Sequence, residues 1–145
     1  MRYIGTVDFQ IPRQQVWDAL LNPDELSHCV PGLLNWRPLK SNQAFSLQLA
    51  WAAADNPIQF PLLLEWVEQR PPEFLLLKGT MKFSSSQIIG EGDIMLTAVT
   101  PTHTQLQFTA VITTPNKMLD RIVHTAVPQI ITSFFKCMKT HLQTS

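Results

Sequence analysis

A long amphipathic helix at the end of a short chain sets a packing problem that the rest of the sequence has to solve. Between Asn116 and His141, the residues Leu119, Ile122, Val123, Ala126, Ile130, Phe134, Cys137 and Met138 recur at steps of three and four. That spacing is one apolar face of a helix. At about 1.5 Å per residue the helix is on the order of 40 Å long. Lys117, Arg121, His124, Lys136 and Lys139 fall mostly on its other faces. Pro128 lies inside it, where a proline bends a helix or costs roughly 3 kcal/mol. A chain of 145 residues has room for one sizeable core. The sequence upstream therefore has to cover this stripe.

That upstream sequence has the period of a sheet. Residues 2–11 alternate Val7, Phe9 and Ile11 with Asp8 and Gln10. Pro12 suits a first helical turn, and Val16, Trp17, Leu20 and Leu21 give a short helix its apolar face. Asn22-Pro23 stops that helix. Asp24 and Glu25 then place acid in a new first turn, and a second helix is expected over about 23–29, ended by Val30-Pro31-Gly32. Six strands follow. They are expected at Leu33–Leu39, through Phe45–Trp51 and Phe60–Val67, at Phe74–Met81, around Ile94 and Leu96, and through Leu106–Ile112. Turns are expected at Lys40-Ser41-Asn42, Asp55-Asn56-Pro57, Pro71-Pro72-Glu73, Ser84-Ser85-Ser86 and Thr100-Pro101-Thr102-His103. Strict alternation means one buried and one wet face, hence antiparallel pairing. The expected architecture is α+β: a curved antiparallel sheet of about seven strands gripping the C-terminal helix, with two short helices after the first strand, as one domain over 1–145.

Composition narrows the partners. The chain is 45% hydrophobic and 15% charged, with eleven basic and eleven acidic side chains. A balanced charge lacks the basic footprint of a nucleic-acid binder. The basic groups are concentrated, however: residues 116–145 hold four against one acidic group. That is what a solvated helix face has, and it is also what a peripheral membrane or acidic protein contact uses. The N-terminus shows no apolar signal core, and no apolar run approaches the ~20 residues of a membrane span. Cys29 and Cys137 are the only cysteines. So far apart, they read as free thiols packed as small hydrophobes in a reducing, cytoplasmic compartment.

The stretch Phe9–Gly32 carries Val16-Trp17, then Asn22-Pro23-Asp24, then Cys29-Val30-Pro31-Gly32. In this it resembles the CoxG-like family, associated with carbon monoxide dehydrogenase, of the START/Bet v 1-like (polyketide cyclase-like) superfamily; Phe134-Phe135 late in the last helix also fits. The resemblance implies a helix-grip fold over nearly the whole chain. It also implies a ligand-binding scaffold, serving in that family as an accessory to a redox enzyme. The entry to the last helix departs from the pattern, with Thr114-Pro115-Asn116 in place of a glycine-rich turn.

Candidate chemistry is sparse. His28, His103, His124 and His141 share no metal-ligand spacing, so no metal or other cofactor is expected. Asp120 and His124 stand four apart on the helix and could touch; the same spacing is that of an ordinary surface ion pair. Ser84–Ser86 lack the strand-turn-helix setting of a nucleophile. Glu91, Asp93 and Glu65 alternate with apolar neighbours and belong to the wet face. No catalytic residue emerges.

The apolar set is more informative. Trp51, Phe60, Leu62, Leu64, Trp66, Leu106, Phe108 and Ile112 of the sheet are expected to face Val123, Ala126, Val127, Ile130 and Phe134 of the helix. An ordinary core would look the same. A curved sheet over a helix can also leave a cavity, and Ala126 and Pro128 favour space there. The expected function is binding or carriage of an apolar small molecule (lipid-like, isoprenoid or quinone, or aromatic), with His28, Tyr3 or Thr109 orienting it. The alternatives are an enzyme of the cyclase or hydrolase kind using the same cavity, and an assembly factor using its surface.

Overall fold

A computed structural model describes residues 1–40, 43–53, 56–83 and 85–143. Ser41, Asn42, Asp55 and Ser84, where three of the expected turns fall, lie outside the described residues, as do the side chains of Trp51 and Phe60. The elements run β1 (Arg2–Phe9), α1 (Arg13–Leu20), α2 (Pro23–Ser27), β2 (Leu33–Lys40), β3 (Ala44–Ala53), β4 (Asn56–Arg70), β5 (Phe74–Phe83), β6 (Ser86–Thr100), β7 (His103–Thr113) and α3 (Lys117–Gln143). The seven strands form one antiparallel sheet in the order β1-β7-β6-β5-β4-β3-β2. Strands β2 to β7 are successive hairpins. The two short helices carry the chain from β1 at one edge to β2 at the other.

Local chemistry accounts for the helix ends. The Asn22 side chain accepts a hydrogen bond from the Asp24 N–H at 3.0 Å and Pro23 opens α2, filling one of the donors a helix start leaves orphaned. Asn116 does the same for α3, accepting from the Leu119 N–H at 2.9 Å. Pro128 sits within the 27-residue α3. The carbonyl it leaves without a donor is that of His124. His124 is exposed, so water can take the place of the missing N–H.

The prolines in the sheet follow the same accounting. Pro61 pairs with Gln48 of β3, but β4 meets β5 only from Leu62 onward. At Pro61 the strand is thus locally an edge, where a missing N–H costs nothing. Beyond Trp66 a register shift inserts Val67 as a bulge, which leaves that side chain outside.

Where alternation set a phase and the side chains are described, the strands follow it. Phe45 and Leu47 of β3, Leu75 of β5, Ile94 and Leu96 of β6 and Leu106 of β7 are buried on one face. On the opposite face Lys78 stands in register between Glu65 and Glu91, a row of alternating charge that suits water. The helices close the inner face: Phe9, Val16 and Leu106 have no exposed surface, and Trp17, Leu20 and Leu26 pack with them against Phe135 and Met138 of α3. The one buried polar side chain among the described residues, Thr104, donates from Oγ1 to the Ile11 carbonyl at 2.9 Å.

Two expectations need correction. Cys29 and Cys137 are not free: they form a disulfide between the end of α2 and the late turns of α3. The argument for a reducing compartment from free thiols goes with them. The buried stripe of α3 also departs from the expected one. It runs through Leu119, Val123, Ala126, Phe135 and Met138, with Ile131 packed against the core and Ile130 41% exposed. Each four-residue step advances a stripe about 40° beyond a full turn. A long helix laid over a twisted sheet presents successive sides to it.

Candidate functional site: two apolar chambers under the C-terminal helix

The inner face of the sheet is paved with large side chains at both ends and small ones in the middle. Gly79 of β5 stands directly across from Gly90 of β6, and Gly92 across from Ala110 of β7. A methyl group built on Gly79 would meet only the tip of Leu62 at 3.4 Å, and one on Gly90 only Ile112 at 3.7 Å. The floor beneath α3 is therefore lowered by missing side chains.

Among the described residues two apolar chambers lie under α3, the first of them over this glycine floor. The first, about 160 Å³, is bounded by Leu62, Gly79, Met81, Ile88, Gly90 and Ile112 of the sheet and by Val123 and Val127 of α3. The second, about 110 Å³, is bounded by Leu64, Trp66, Leu75, Leu77 and Ile94 of the sheet, Trp36 of β2, Leu20, Leu26 and Val30 of the helical connection, and Phe134 of α3. Leu62 and Leu64 are next but one on β4, as are Gly79 and Leu77 on β5, so the chambers adjoin, about 7 Å apart along the strands. Neither wall has an ionisable side chain. Larger and more open hollows, about 610 Å³ beside Lys82, Ser86 and Thr113 and about 250 Å³ beside Gln15, Asp18 and Glu25, have charged and polar side chains in their walls, and neither is lined by Val123, Val127 or Phe134.

Of the expected cavity residues, Leu62, Ile112, Val123 and Val127 meet in the first chamber and Leu64, Trp66 and Phe134 in the second. Leu106 is fully buried in packed core. Phe108 stacks on Phe135 with ring centres 5.3 Å apart and lines neither chamber. Ala126 is buried outside both walls, and Ile130 faces outward. Trp36, Leu75, Leu77, Ile94, Leu20, Leu26 and Val30 join the walls without having been expected there. The run Phe74-Leu75-Leu76-Leu77 has no alternation to reveal its inward phase. Glycines spaced at Gly90 and Gly92, on the phase of Ile94, were the readable sign of a hollow.

The polar groups expected to orient a ligand lie elsewhere. His28 is outside both walls, and Thr109 occupies the outward phase beside Asp93. The Tyr3 hydroxyl contacts Met1 Sδ at 3.3 Å. Burial, and secondarily the negative charge of Asp120, raises the Tyr3 phenol above its ordinary range. Asp120 and His124 do not pair with each other. Asp120 accepts from the Thr114 hydroxyl at 3.1 Å, and the His124 ring lies 3.2 Å from Met1 Sδ. No cluster among the described residues could hold a metal.

One polar feature does belong to the second chamber. Trp36 and Trp66 flank Phe45, with ring centres 5.2 and 5.9 Å from it. Both indole nitrogens are buried without a hydrogen-bond partner. Buried indoles normally find one, and leaving a donor unpaired costs about 1–3 kcal/mol. Glu25 Oε2, the other buried side-chain atom without a hydrogen bond among the described residues, instead makes an ion pair with His141.

No family model matches the sequence, and no curated protein matches it. The fold has many counterparts among solved structures. A conserved protein from Geobacillus kaustophilus superposes with a TM-score of 0.88 at 22% identity, over 100% of this chain and 97% of that one. The ZhuI aromatase/cyclase from Streptomyces sp. R1128 gives 0.74 at 12% identity, over 99% and 93%. Ara h 8.0201 gives 0.71 at 11%, over 100% and 99%. The chain has the helix-grip, Bet v 1-like fold. No helix among the described residues is long and apolar enough to cross a membrane.

Proposed function

We propose that this chain binds or carries a small apolar molecule held between the sheet and α3. The observation behind this reading is the pair of adjoining chambers with walls of hydrocarbon, glycine and indole. Each is near the size of an apolar cavity that takes up benzene, about 150 Å³. A ring in one and a short apolar segment in the other is the matching shape. That favours aromatic or isoprenoid-like molecules over a long acyl chain. Kinship with the CoxG-like family, with an accessory role beside a redox enzyme, is the finer form of this proposal and rests on the Phe9–Gly32 motif. A cytoplasmic location has lost the support of free thiols.

An enzyme of the cyclase kind, which the likeness to ZhuI suggests, needs an ionisable group beside the ligand. The walls offer none, and this weighs toward a binder. The exposed basic side of α3, with Lys117, Arg121 and Lys136, keeps a partner or membrane contact as a companion to ligand binding.

Filling the first chamber tests the reading. In Gly90→Val the new side chain meets Ile112 at an ordinary distance and then projects into the hollow. The variant should keep or slightly raise its melting temperature, since glycine in a strand interior is the weaker choice. Its affinity for an apolar fluorescent probe, or for the molecule extracted from the native protein, should fall at least tenfold. Unchanged affinity in a folded variant would place the ligand elsewhere.

A further inference from the structure

Resting on that reading, we infer that the ligand presents a neutral oxygen acceptor, a carbonyl, which an indole N–H of Trp36 or Trp66 takes in the second chamber.

Three observations meet here. The two buried side-chain nitrogens without partners among the described residues are both indole donors. Both belong to side chains that form the wall of one chamber, brought there by strands on either side of β3. The surface of that chamber is hydrocarbon throughout. Each nitrogen lies beneath the wall rather than on it, and ligand entry has to turn an indole so that its N–H meets the chamber.

The chemistry of the complement follows. An indole is a donor and never an acceptor. A ligand hydroxyl or amine would bring a hydrogen into a wall with nothing to receive it. A carboxylate would be stripped of water with no cation to balance it. A water molecule could accept from an indole, yet its own hydrogens would be orphaned, and an ordered buried water needs two to four partners. A carbonyl oxygen has lone pairs and no hydrogen. It converts unpaired donors into hydrogen bonds, and its carbon frame fits the apolar remainder.

The test uses four probes of one shape: acetophenone, ethylbenzene, 1-phenylethanol and 1-phenylethylamine. Each is titrated into the intact protein by calorimetry and by NMR of the tryptophan indole N–H signals. Acetophenone should bind about tenfold more tightly than ethylbenzene, with the alcohol between them and the amine weakest. The Trp36 and Trp66 indole signals should move downfield with the ketone and not with the hydrocarbon. In the Trp36→Phe, Trp66→Phe double variant, whose chamber is enlarged, the ratio of ketone to hydrocarbon affinity should fall to about one, whatever happens to the absolute affinities. Ketone and hydrocarbon binding equally well, or a ketone preference that survives in the double variant, overturns this inference and leaves the apolar-carrier reading standing. If no probe binds, both fall. Should the double variant fail to fold, the indole shifts and the affinity order of the unaltered protein decide.

Discussion

Replacing Cys29 and Cys137 together by alanine should lower the free energy of unfolding by about 4 kcal/mol. The bond joins residues 108 apart in sequence. A crosslink over a loop that long removes much of the freedom of the unfolded chain, worth roughly 4–5 kcal/mol by loop-closure entropy and about 2–5 kcal/mol in practice. A domain of this kind has only about 5–15 kcal/mol in all, so the midpoint should fall on the order of 10 °C. The denaturant slope should rise, because the unlinked chain exposes more surface. Dithiothreitol should reproduce the loss in the native protein and do nothing to the variant. Two titratable thiols in the untreated protein, or a midpoint indifferent to reductant, would contradict the pairing.

The same bond has a local consequence for the chambers. Cys29 precedes Val30 and follows Leu26 by three residues, and Cys137 follows Phe134 by three; all three of those neighbours border the second chamber. The disulfide thus holds the helical connection against α3 at the rim of the proposed site. Loss of probe binding in the cysteine variant at temperatures where it stays folded would reflect that rim loosening rather than global unfolding.

How much of this was legible beforehand depends on the range of the interactions involved. Period-two alternation is a one-strand property. Gln105 to Thr113 could therefore be phased from sequence, and the observed burial follows it. Asn22-Pro23-Asp24 is equally local: the break between the two short helices falls there as read, while the Asn22 cap is a finding of the structure. The chamber walls are set by pairs of elements. Leu62 and Leu64 could still be phased through Trp66 and Glu65 beside them, but Phe74-Leu75-Leu76-Leu77 is apolar at every position, so only the register with β4 and β6 decides which members face in. Ile130 and Ile131 are equally apolar, and the winding of the stripe along α3 chooses between them. The disulfide and the unpaired indoles depend on approach across the whole fold, which no spacing records.

Gly32→Ala should cost about 3 kcal/mol or more, the second large effect expected of a single position. Gly32 has φ of +73°, a left-handed conformation that costs an L side chain roughly 1–2 kcal/mol. A β-carbon there would also overlap the backbone carbonyl oxygen of Ala50. That oxygen belongs to a strand and cannot rotate away. The contact is held from the other side by the Ala50 N–H, which donates to the Gly32 carbonyl at 2.7 Å. The two costs can be separated. Asparagine tolerates positive φ far better than alanine, but it carries the same β-carbon. If the overlap dominates, Gly32→Asn is nearly as damaging as Gly32→Ala; if backbone conformation dominates, asparagine recovers most of the loss. We expect the first result, read as denaturation midpoints against a Gly90→Ala control, whose new methyl meets nothing closer than 3.7 Å. A Gly32→Ala protein within about 1 kcal/mol of the original would mean that the turn can open. In that case β2 and Trp36 are not pinned where the second chamber needs them.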